Sequence, residues 1–206
     1  MHGVKRLLSA IVLLAALSPS QGTALEFGFT RFSINAGYIE NFHRDDPAYD
    51  DTYSFYPELQ AGGAFLFPYL TWIGYWGYWD DRAAKPVRPS VVPVFSFKSH
   101  IAGVRVMFNP RKTSDNWPLP AGLFAGISRH FVTAEYLGDN AGTGIPPKDY
   151  HRNSNTLEFG INIEFPLWGL FSLRGEVHQF FPFTGDDFEE LQKNRRAYTL
   201  GISAVL

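Results

Sequence analysis

Residues 155–181 read NTLEFGINIEFPLWGLFSLRGEVHQFF, and the character of their side chains changes at every step. From Leu157 to Phe165 the odd positions are all apolar, whereas the even positions are polar or glycine. After the short segment 166–169 the same alternation resumes. The polar sides of the two segments carry Glu158, Asn162, Glu164, Arg174, Glu176 and His178. Because successive side chains of a β-strand point to opposite faces, the stretch predicts a hairpin with one apolar and one charged face.

Eight segments of the chain show such alternation or a strand-like composition, and turn residues bound each of them. They are residues 26–39, 54–67, 70–79, 98–108, 121–136, the two arms of 155–181, and 196–206. In the fifth segment the alternation loses its phase near Arg129, which predicts a β-bulge at that residue. The chain is therefore predicted to be all-β.

The connections between these segments vary in length in a regular way. Long connections follow the first, third, fifth and seventh segments. Short ones, Pro68-Tyr69 and residues 166–169, follow the second and sixth, and residues 109–120 form an intermediate one. A transmembrane barrel has short turns on one side of the membrane and long loops on the other. This pattern predicts an eight-stranded antiparallel up-and-down transmembrane β-barrel.

An eight-stranded barrel encloses a space that side chains can just fill. In such a barrel the apolar faces meet lipid and the charged faces are enclosed, where charges must be paired. A polar network is predicted in the lumen, although one sequence does not fix which groups pair. Its predicted members are Glu58, Arg105, Glu158, Asn162, Glu164, Arg174, Glu176 and His178. A narrow path for protons or ions through these groups is the alternative interpretation.

Aromatic residues make up 17% of the chain. The predicted strands therefore carry more outward-facing aromatic surface than a soluble domain of this size should expose. In a membrane barrel, amphipathic rings collect at the two lipid–water boundaries. Two aromatic girdles are predicted at opposite strand ends, formed by Tyr38, Phe55, Tyr69, Trp76, Tyr78, Trp79, Phe165, Trp168 and Phe181. The alternative is a soluble β-sandwich or lipocalin-like barrel with the rings in its core, which gives no reason for loops of alternating length.

The N-terminus predicts export. Lys5 and Arg6 precede an apolar run, residues 7–17, and a small-residue site follows at 22–24. This is the pattern of a secretory signal peptide, and the run is too short to span a bilayer as a helix. We therefore expect residues 1–24 to be cleaved and residues 25–206 to form the barrel domain. Without Lys5 and Arg6 the formal charge falls from −2 to −4, which argues against a nucleic-acid partner.

Taken together, these features resemble the small eight-stranded outer-membrane barrels of the OmpA-barrel and OmpX type. The most specific part is the last strand, RRAYTLGISAVL, with Tyr198, Leu200, Ile202 and Leu206 in the positions of the family's C-terminal assembly signal. The family usually ends in Phe, so Leu206 is a departure. The resemblance implies a monomer in the bacterial outer membrane, surrounded by lipid and lipopolysaccharide and recognised by the barrel-assembly machinery. It implies a non-enzymatic role, envelope-structural or surface-binding.

Other chemistry has weaker support in the sequence. Residues 151–158 resemble the His-x-Ser-Asn run, with a later Glu, of outer-membrane lipid A acyl hydrolases. Here His151 and Ser154 are three positions apart, which places their side chains on opposite faces of a strand. Acidic pairs in the long connections, such as Asp45-Asp46, lack the spacing of a calcium loop. The six histidines lack zinc-ligand spacing. With no cysteine in the chain, no disulfide is expected, and neither cofactor nor metal is predicted.

Overall fold

The computed structural model describes residues 30–41, 53–65, 67–81, 95–109, 120–136, 150–185 and 192–206. The predicted signal peptide and most of the long connections, including Asp45-Asp46, lie outside these ranges. The described residues form eight strands. They are β1 (Arg31–Glu40), β2 (Tyr53–Phe65), β3 (Phe67–Asp80), β4 (Phe95–Phe108), β5 (Ala121–Tyr136), β6 (Tyr150–Pro166), β7 (Phe171–Gly185) and β8 (Arg195–Val205).

The strands close into one barrel in which each strand pairs with its sequence neighbours. Every pairing is antiparallel, and β1 pairs with β8 to complete the ring, from Arg31 opposite Val205 to Ile39 opposite Ala197. The Leu206 amide also donates to the Thr30 carbonyl oxygen at 2.8 Å, which extends this seam beyond the strands. The predicted fold class is confirmed. No helix among the described residues has the length and apolarity needed to cross a bilayer.

The turns and strand ends correct several details of the sequence interpretation. Pro68 and Tyr69 lie inside β3, which begins at Phe67, two positions after β2 ends at Phe65. The connection 109–120 is as long as 41–52, so the alternation of loop lengths is incomplete. β6 begins at Tyr150, earlier than the alternation indicates, because residues 150–154 are polar on both faces and give no amphipathic signal.

The turn between β6 and β7 is the tight one that the sequence predicts. The Leu167 amide donates to the Phe171 carbonyl oxygen at 2.9 Å, and the Phe171 amide donates to the Trp168 carbonyl oxygen at 3.0 Å. Gly169 has a φ of 57°, in the left-handed region that glycine adopts without steric cost. This residue lets four residues reverse the chain between two of the longest strands.

Side chains alternate between the inside and the outside of the barrel along most of each strand. Along β8, for example, Ala197, Thr199 and Ser203 are buried, whereas Tyr198 and Leu200 are exposed. The predicted bulge at Arg129 is wrong, because β5 pairs without a register shift with both β4 and β6. Shifts occur instead between Ala64 and Phe65 and between Asn155 and Thr156. The apparent loss of phase at Arg129 reflects a charged residue on the outer face.

Asp81 joins the ends of β3 and β4 at the long-connection side of the barrel. It is buried, its carboxylate accepts a hydrogen bond from the Phe97 amide, and its own amide donates to the Phe97 carbonyl oxygen at 3.0 Å. Burial raises the pKa of the Asp81 carboxyl from 3.8 to about 7, and this outweighs the opposing effect of the hydrogen bonds.

This shift predicts a pH dependence of stability. The ordinary pKa of the carboxyl is 3.8 and its pKa in the folded protein is about 7. At pH values between the two, the folded protein holds the Asp81 proton more tightly than the unfolded chain does. The free energy of unfolding should therefore fall as pH rises through that interval, and Asp81→Asn should remove this part of the fall. Urea unfolding in detergent micelles at a series of pH values measures it; parallel curves for the two proteins would contradict the prediction.

A second prediction concerns the seam between β1 and β8. A Cβ placed on Gly37 would collide with the backbone carbonyl oxygen of Tyr198, whereas one placed on Gly74 would meet no atom closer than 3.8 Å. Gly37→Val should therefore cost about 1–3 kcal/mol of stability or prevent closure. Gly74→Val is the matched control and should be close to neutral. The fraction of protein that shifts on a gel after boiling reports closure, and equal fractions for both variants would contradict the expectation.

Candidate functional site

The barrel lumen is filled at three successive levels between the long-connection end and the short-connection end. The first level is an apolar plug, which we define as the buried residues Ile39, Tyr56, Tyr75, Trp79, Phe97, Ile101, Val132, Ala134, Phe180 and Ala197. Below it lies a cluster of charged side chains. The third level, near the short turns, combines a small apolar cluster of Ile73, Met107 and Phe124 with an Arg31–Glu164 pair.

Arg105 is the centre of the charged cluster. Its guanidinium lies 2.8 Å from Glu58, 2.9 Å from Glu158 and 3.1 Å from Glu176, and all four side chains are buried. These carboxylates come from β2, β6 and β7, so one cation joins three other strands to β4. We call Arg105, Glu58, Glu158, Glu176, Arg174 and His178 the ionic network.

Two aromatic rings lie against the Arg105 guanidinium. Its Cζ atom lies 4.6 Å from the centre of the Tyr75 ring and 4.8 Å from that of the Phe124 ring. The Tyr75 hydroxyl also donates to Glu158 at 2.6 Å. The planar guanidinium can donate in its plane to carboxylates while its faces stack on rings, which a lysine ammonium could not do. The geometry is thus specific to arginine.

Further donors complete the shells of the carboxylates. The Tyr56 hydroxyl donates to Glu58 at 2.7 Å, and the Gln60 amide donates to Glu176 at 2.7 Å. Arg174 donates through Nε to Glu176 at 2.6 Å. Buried carboxylates are tolerated only when such partners replace their lost hydration. The tyrosines connect the ionic network directly to the apolar plug above it.

His178 faces two carboxylates at once. Its Nδ1 lies 2.7 Å from Glu158 and its Nε2 lies 3.3 Å from Glu176. With His178 counted as a cation, three positive groups face the three carboxylates of the ionic network. Its ring also contacts the Phe124 and Phe180 rings, at centroid distances of 5.2 and 5.9 Å.

The structure places most of the predicted lumen residues together, with two differences. Glu164 is separate from the ionic network, because it pairs with Arg31 at 2.7 Å and accepts a hydrogen bond from Ser172 near the short turns. Asn162 is buried beside Gly122, and no hydrogen bond joins its side chain to another described residue. The predicted list omitted Tyr75 and Arg31. Alternation places Tyr75 on the inner face, opposite to Trp76, and this could have identified it.

Three of these groups have a spacing that a metal ion could use. Glu58, Glu176 and His178 each offer an atom within 4.8 Å of the others. The Arg105 guanidinium lies between the same two carboxylates, so the protein itself supplies their countercharge. The arrangement is therefore that of an internal ion cluster, and it supports no metal site.

Most of the predicted girdle residues lie on the outer face. Trp168 is 70% exposed and Tyr38 59% exposed, at opposite ends of the barrel. Tyr69 and Tyr78 are partly covered, and Phe55, Trp76, Phe165 and Phe181 are exposed. Trp79 corrects the prediction, because it is fully buried in the apolar plug, with the Arg195 guanidinium 5.7 Å from its ring. Its odd position on β3 points inward with Tyr75.

The residues of the hydrolase alternative are not assembled into a triad. His151 is on the outer face, where its Nδ1 lies 3.1 Å from the Thr133 hydroxyl. Ser154 is buried inside and donates to the Thr184 carbonyl oxygen at 3.2 Å, and Glu158 belongs to the ionic network. Asn155 bonds to Thr184 on the outside. The structure therefore gives Ser154 no base within this run.

Removing the central cation should leave three buried carboxylates without their main partner. We expect Arg105→Met to lower the free energy of unfolding by about 3–5 kcal/mol, or to abolish folding. Lys98→Met breaks the partly exposed Lys98–Glu135 pair on the outer face and is the matched control, with an expected cost of about 0–1 kcal/mol. Urea unfolding in micelles, followed by tryptophan fluorescence, compares them; similar losses would show that the ionic network adds little to stability.

No protein-family model matches the chain, and no curated protein sequence matches it. Solved structures do match its fold. The chain is similar to Ail, the attachment invasion locus protein of Yersinia pestis, with a TM-score of 0.51 and 14% identity over 86% of this chain and 99% of that one. It is also similar to the N-terminal β-barrel domain of Pseudomonas aeruginosa OprF, with a TM-score of 0.50 and 10% identity over 86% and 98% of the two chains.

A third similar structure is a major outer membrane protein from Thermus thermophilus, with a TM-score of 0.53 and 13% identity over 86% of this chain and 99% of that one. At these identities the likeness concerns the fold and not the function. The chain has the fold of the small eight-stranded outer-membrane β-barrels.

Proposed function

We propose that this protein is an integral outer-membrane barrel with a closed lumen, whose role is to support the envelope or to present its long connections to a partner. The observation that carries the proposal is that the closed sheet has apolar side chains on its outside and charged side chains on its inside, the reverse of a soluble protein. Large apolar side chains such as Ile34, Ile127 and Phe159 are exposed on the outside, whereas the ionic network is buried inside. This arrangement is unfavourable for a protein surrounded by water and favourable for one surrounded by lipid acyl chains.

The filled lumen argues against the pore alternative. Any path from end to end would have to pass the apolar plug, the ionic network and the Arg31–Glu164 pair in turn. The plug contains the fully buried rings of Tyr56, Trp79 and Phe180. Ions would lose most of their hydration on passing these rings, which is costly. The charged groups below the plug are paired with each other, so they are not available to bind a passing ion.

The separation of His151 from Ser154 supports a non-enzymatic role, as does the engagement of Glu158 with Arg105 and Tyr75. A choice between support and presentation does not follow from the fold, since barrels of one design carry many functions. The name of the similar protein Ail refers to attachment and invasion. That name is a reason to test presentation of the long connections first, although at 14% identity the likeness itself is one of fold.

Lipid, lipopolysaccharide and the barrel-assembly machinery are the partners that we propose. The outer-facing side chains of β8 support the last of these, because Tyr198, Leu200 and Ile202 form an exposed apolar row. Such a row is available to another protein before the barrel closes. As in the sequence interpretation, we propose a cleaved signal peptide and a monomer.

Membrane placement is tested by fractionation of cells that express the full chain. The protein should sediment with outer membranes, resist extraction by salt or alkali, and migrate differently on gels before and after boiling. A control variant, Gly74→Val, should behave in the same way, because a Cβ on Gly74 faces outward and meets no atom closer than 3.8 Å. Recovery of the processed protein in the soluble fraction without detergent would overturn the proposal.

The closed lumen predicts electrical silence. Purified wild-type protein inserted into planar bilayers should show no steady conductance, because the apolar plug excludes hydrated ions. Insertion is verified separately by heat-modifiability of protein recovered from the same bilayer lipids. Steady conductance that changes on Glu164→Gln or Arg174→Gln would establish the pore alternative and refute the closed-lumen proposal.

A further inference from the structure

Arg129 is a cation on the largely apolar outer wall of the barrel. It lies on β5 between the exposed residues Ile127 and Phe131, and its Cζ atom is 5.5 Å from the centre of the Phe131 ring. Its strand neighbours are Ala102 on β4 and Asn155 on β6. Among the residues that the structure describes, no carboxylate pairs with its guanidinium, in contrast to Lys98 and Arg196, which pair with Glu135 and Glu40.

A groove of about 550 Å³ opens beside Arg129 on the outer wall. Small residues, Gly74, Ala102 and Gly103, form its floor, and Val104, Ile127 and Phe183 stand around it. Room is available above the floor, because a Cβ on Gly74 would meet only the Ala61 carbonyl oxygen and the Trp72 ring, both at 3.8 Å. We call these residues together with Arg129 the outer groove. Its shape suits a flexible apolar chain.

The strand register places the outer groove between a more polar zone and an apolar zone of the outer wall. Arg129 lies in the same row of paired residues as Ala102 and Trp76, and Trp76 is a member of the girdle at the long-connection end. On one side of this row Phe131 is the next outward residue along β5 and the polar Thr133 and Glu135 follow it; on the other side the outward residues are Ile127, Ala125 and Leu123. The outer groove therefore leads from a polar zone into an apolar one.

A polar ledge continues sideways from Arg129. Asn155 donates through its amide to the Thr184 hydroxyl at 2.7 Å, and both side chains face outward beside the outer groove. An outward arginine is costly at the centre of a bilayer, but the cost falls to about 0–1 kcal/mol near the interface. A guanidinium with free donors at that depth is suited to bidentate contact with a phosphate.

We infer that the outer groove binds a phosphorylated acyl lipid of the outer leaflet, with the phosphate on Arg129 and one acyl chain lying over Gly74 and Ala102. The inference rests on the proposed membrane placement and adds a specific lipid site to it. Charge complementarity selects the phosphate, and the apolar floor distinguishes a lipid from a free phosphate ion. The polar ledge lies where the head group of such a lipid would be.

The test uses the purified full-length processed protein in micelles of an uncharged maltoside detergent. Native mass spectrometry measures binding of phosphorylated lipid A and of lipid A from which the phosphates have been removed. Arg129→Gln should weaken binding of the phosphorylated form by about tenfold, the effect of losing charge-assisted hydrogen bonds, and leave binding of the phosphate-free form unchanged. Gly74→Leu should weaken binding of both forms, because it fills the groove.

Arg196→Gln is the matched control. It removes an outward cation on β8 that is already paired with Glu40 of β1, so the affinity for either lipid should not change. If Arg129→Gln binds phosphorylated lipid A as the wild type does, or if inorganic phosphate displaces the lipid at equal concentration, the inference is wrong. Wild-type protein that fractionates with outer membranes but binds the two lipids equally would refute this site alone. Protein that is soluble without detergent would refute the membrane proposal itself.

Discussion

The structure depends on backbone pairing that runs without a break around the barrel. An exposed sheet edge carries unpaired N–H and C=O groups, and in an apolar solvent these are too costly to leave unsatisfied. Closure of β1 on β8 removes the edge, and it also fixes what the side chains must do. With eight strands the enclosed space is narrow, so side chains and not water fill it. The apolar side chains that would form the core of a soluble protein are left for the outer wall.

Charge in the interior then has a structural role. A register slip of one residue would exchange the two faces of a strand. Such a slip in β2, β6 or β7 would turn Glu58, Glu158 or Glu176 away from the lumen and break its bond to Arg105 on β4. Buried ion pairs often add little net stability compared with apolar packing. Their value in this barrel lies in specifying which pairing is correct.

The alternation of residues predicted the strands and most of the side chains that face the lumen, because a period of two leaves only two faces, and the lengths of the connections predicted closure. It failed where both faces have the same character. On β3, Tyr75 and Trp79 point inward while Trp76 and Tyr78 point outward, so aromatic composition could not identify Trp79 as part of the apolar plug. The pairs within the ionic network depend on register between distant strands, which one sequence does not contain. Arg129 looked like an irregularity because a charge was not expected on the outer wall.

The layered interior also bears on how the barrel is assembled and lost. The partners of Arg105 lie on strands far apart in sequence, so their encounter must wait until most of the sheet has formed. We expect these groups to remain hydrated until then and to be absent from the transition state of assembly. Interactions absent from the transition state act mainly on the rate of unfolding. The ionic network is thus expected to form late and to slow unfolding of the assembled barrel more than it speeds folding.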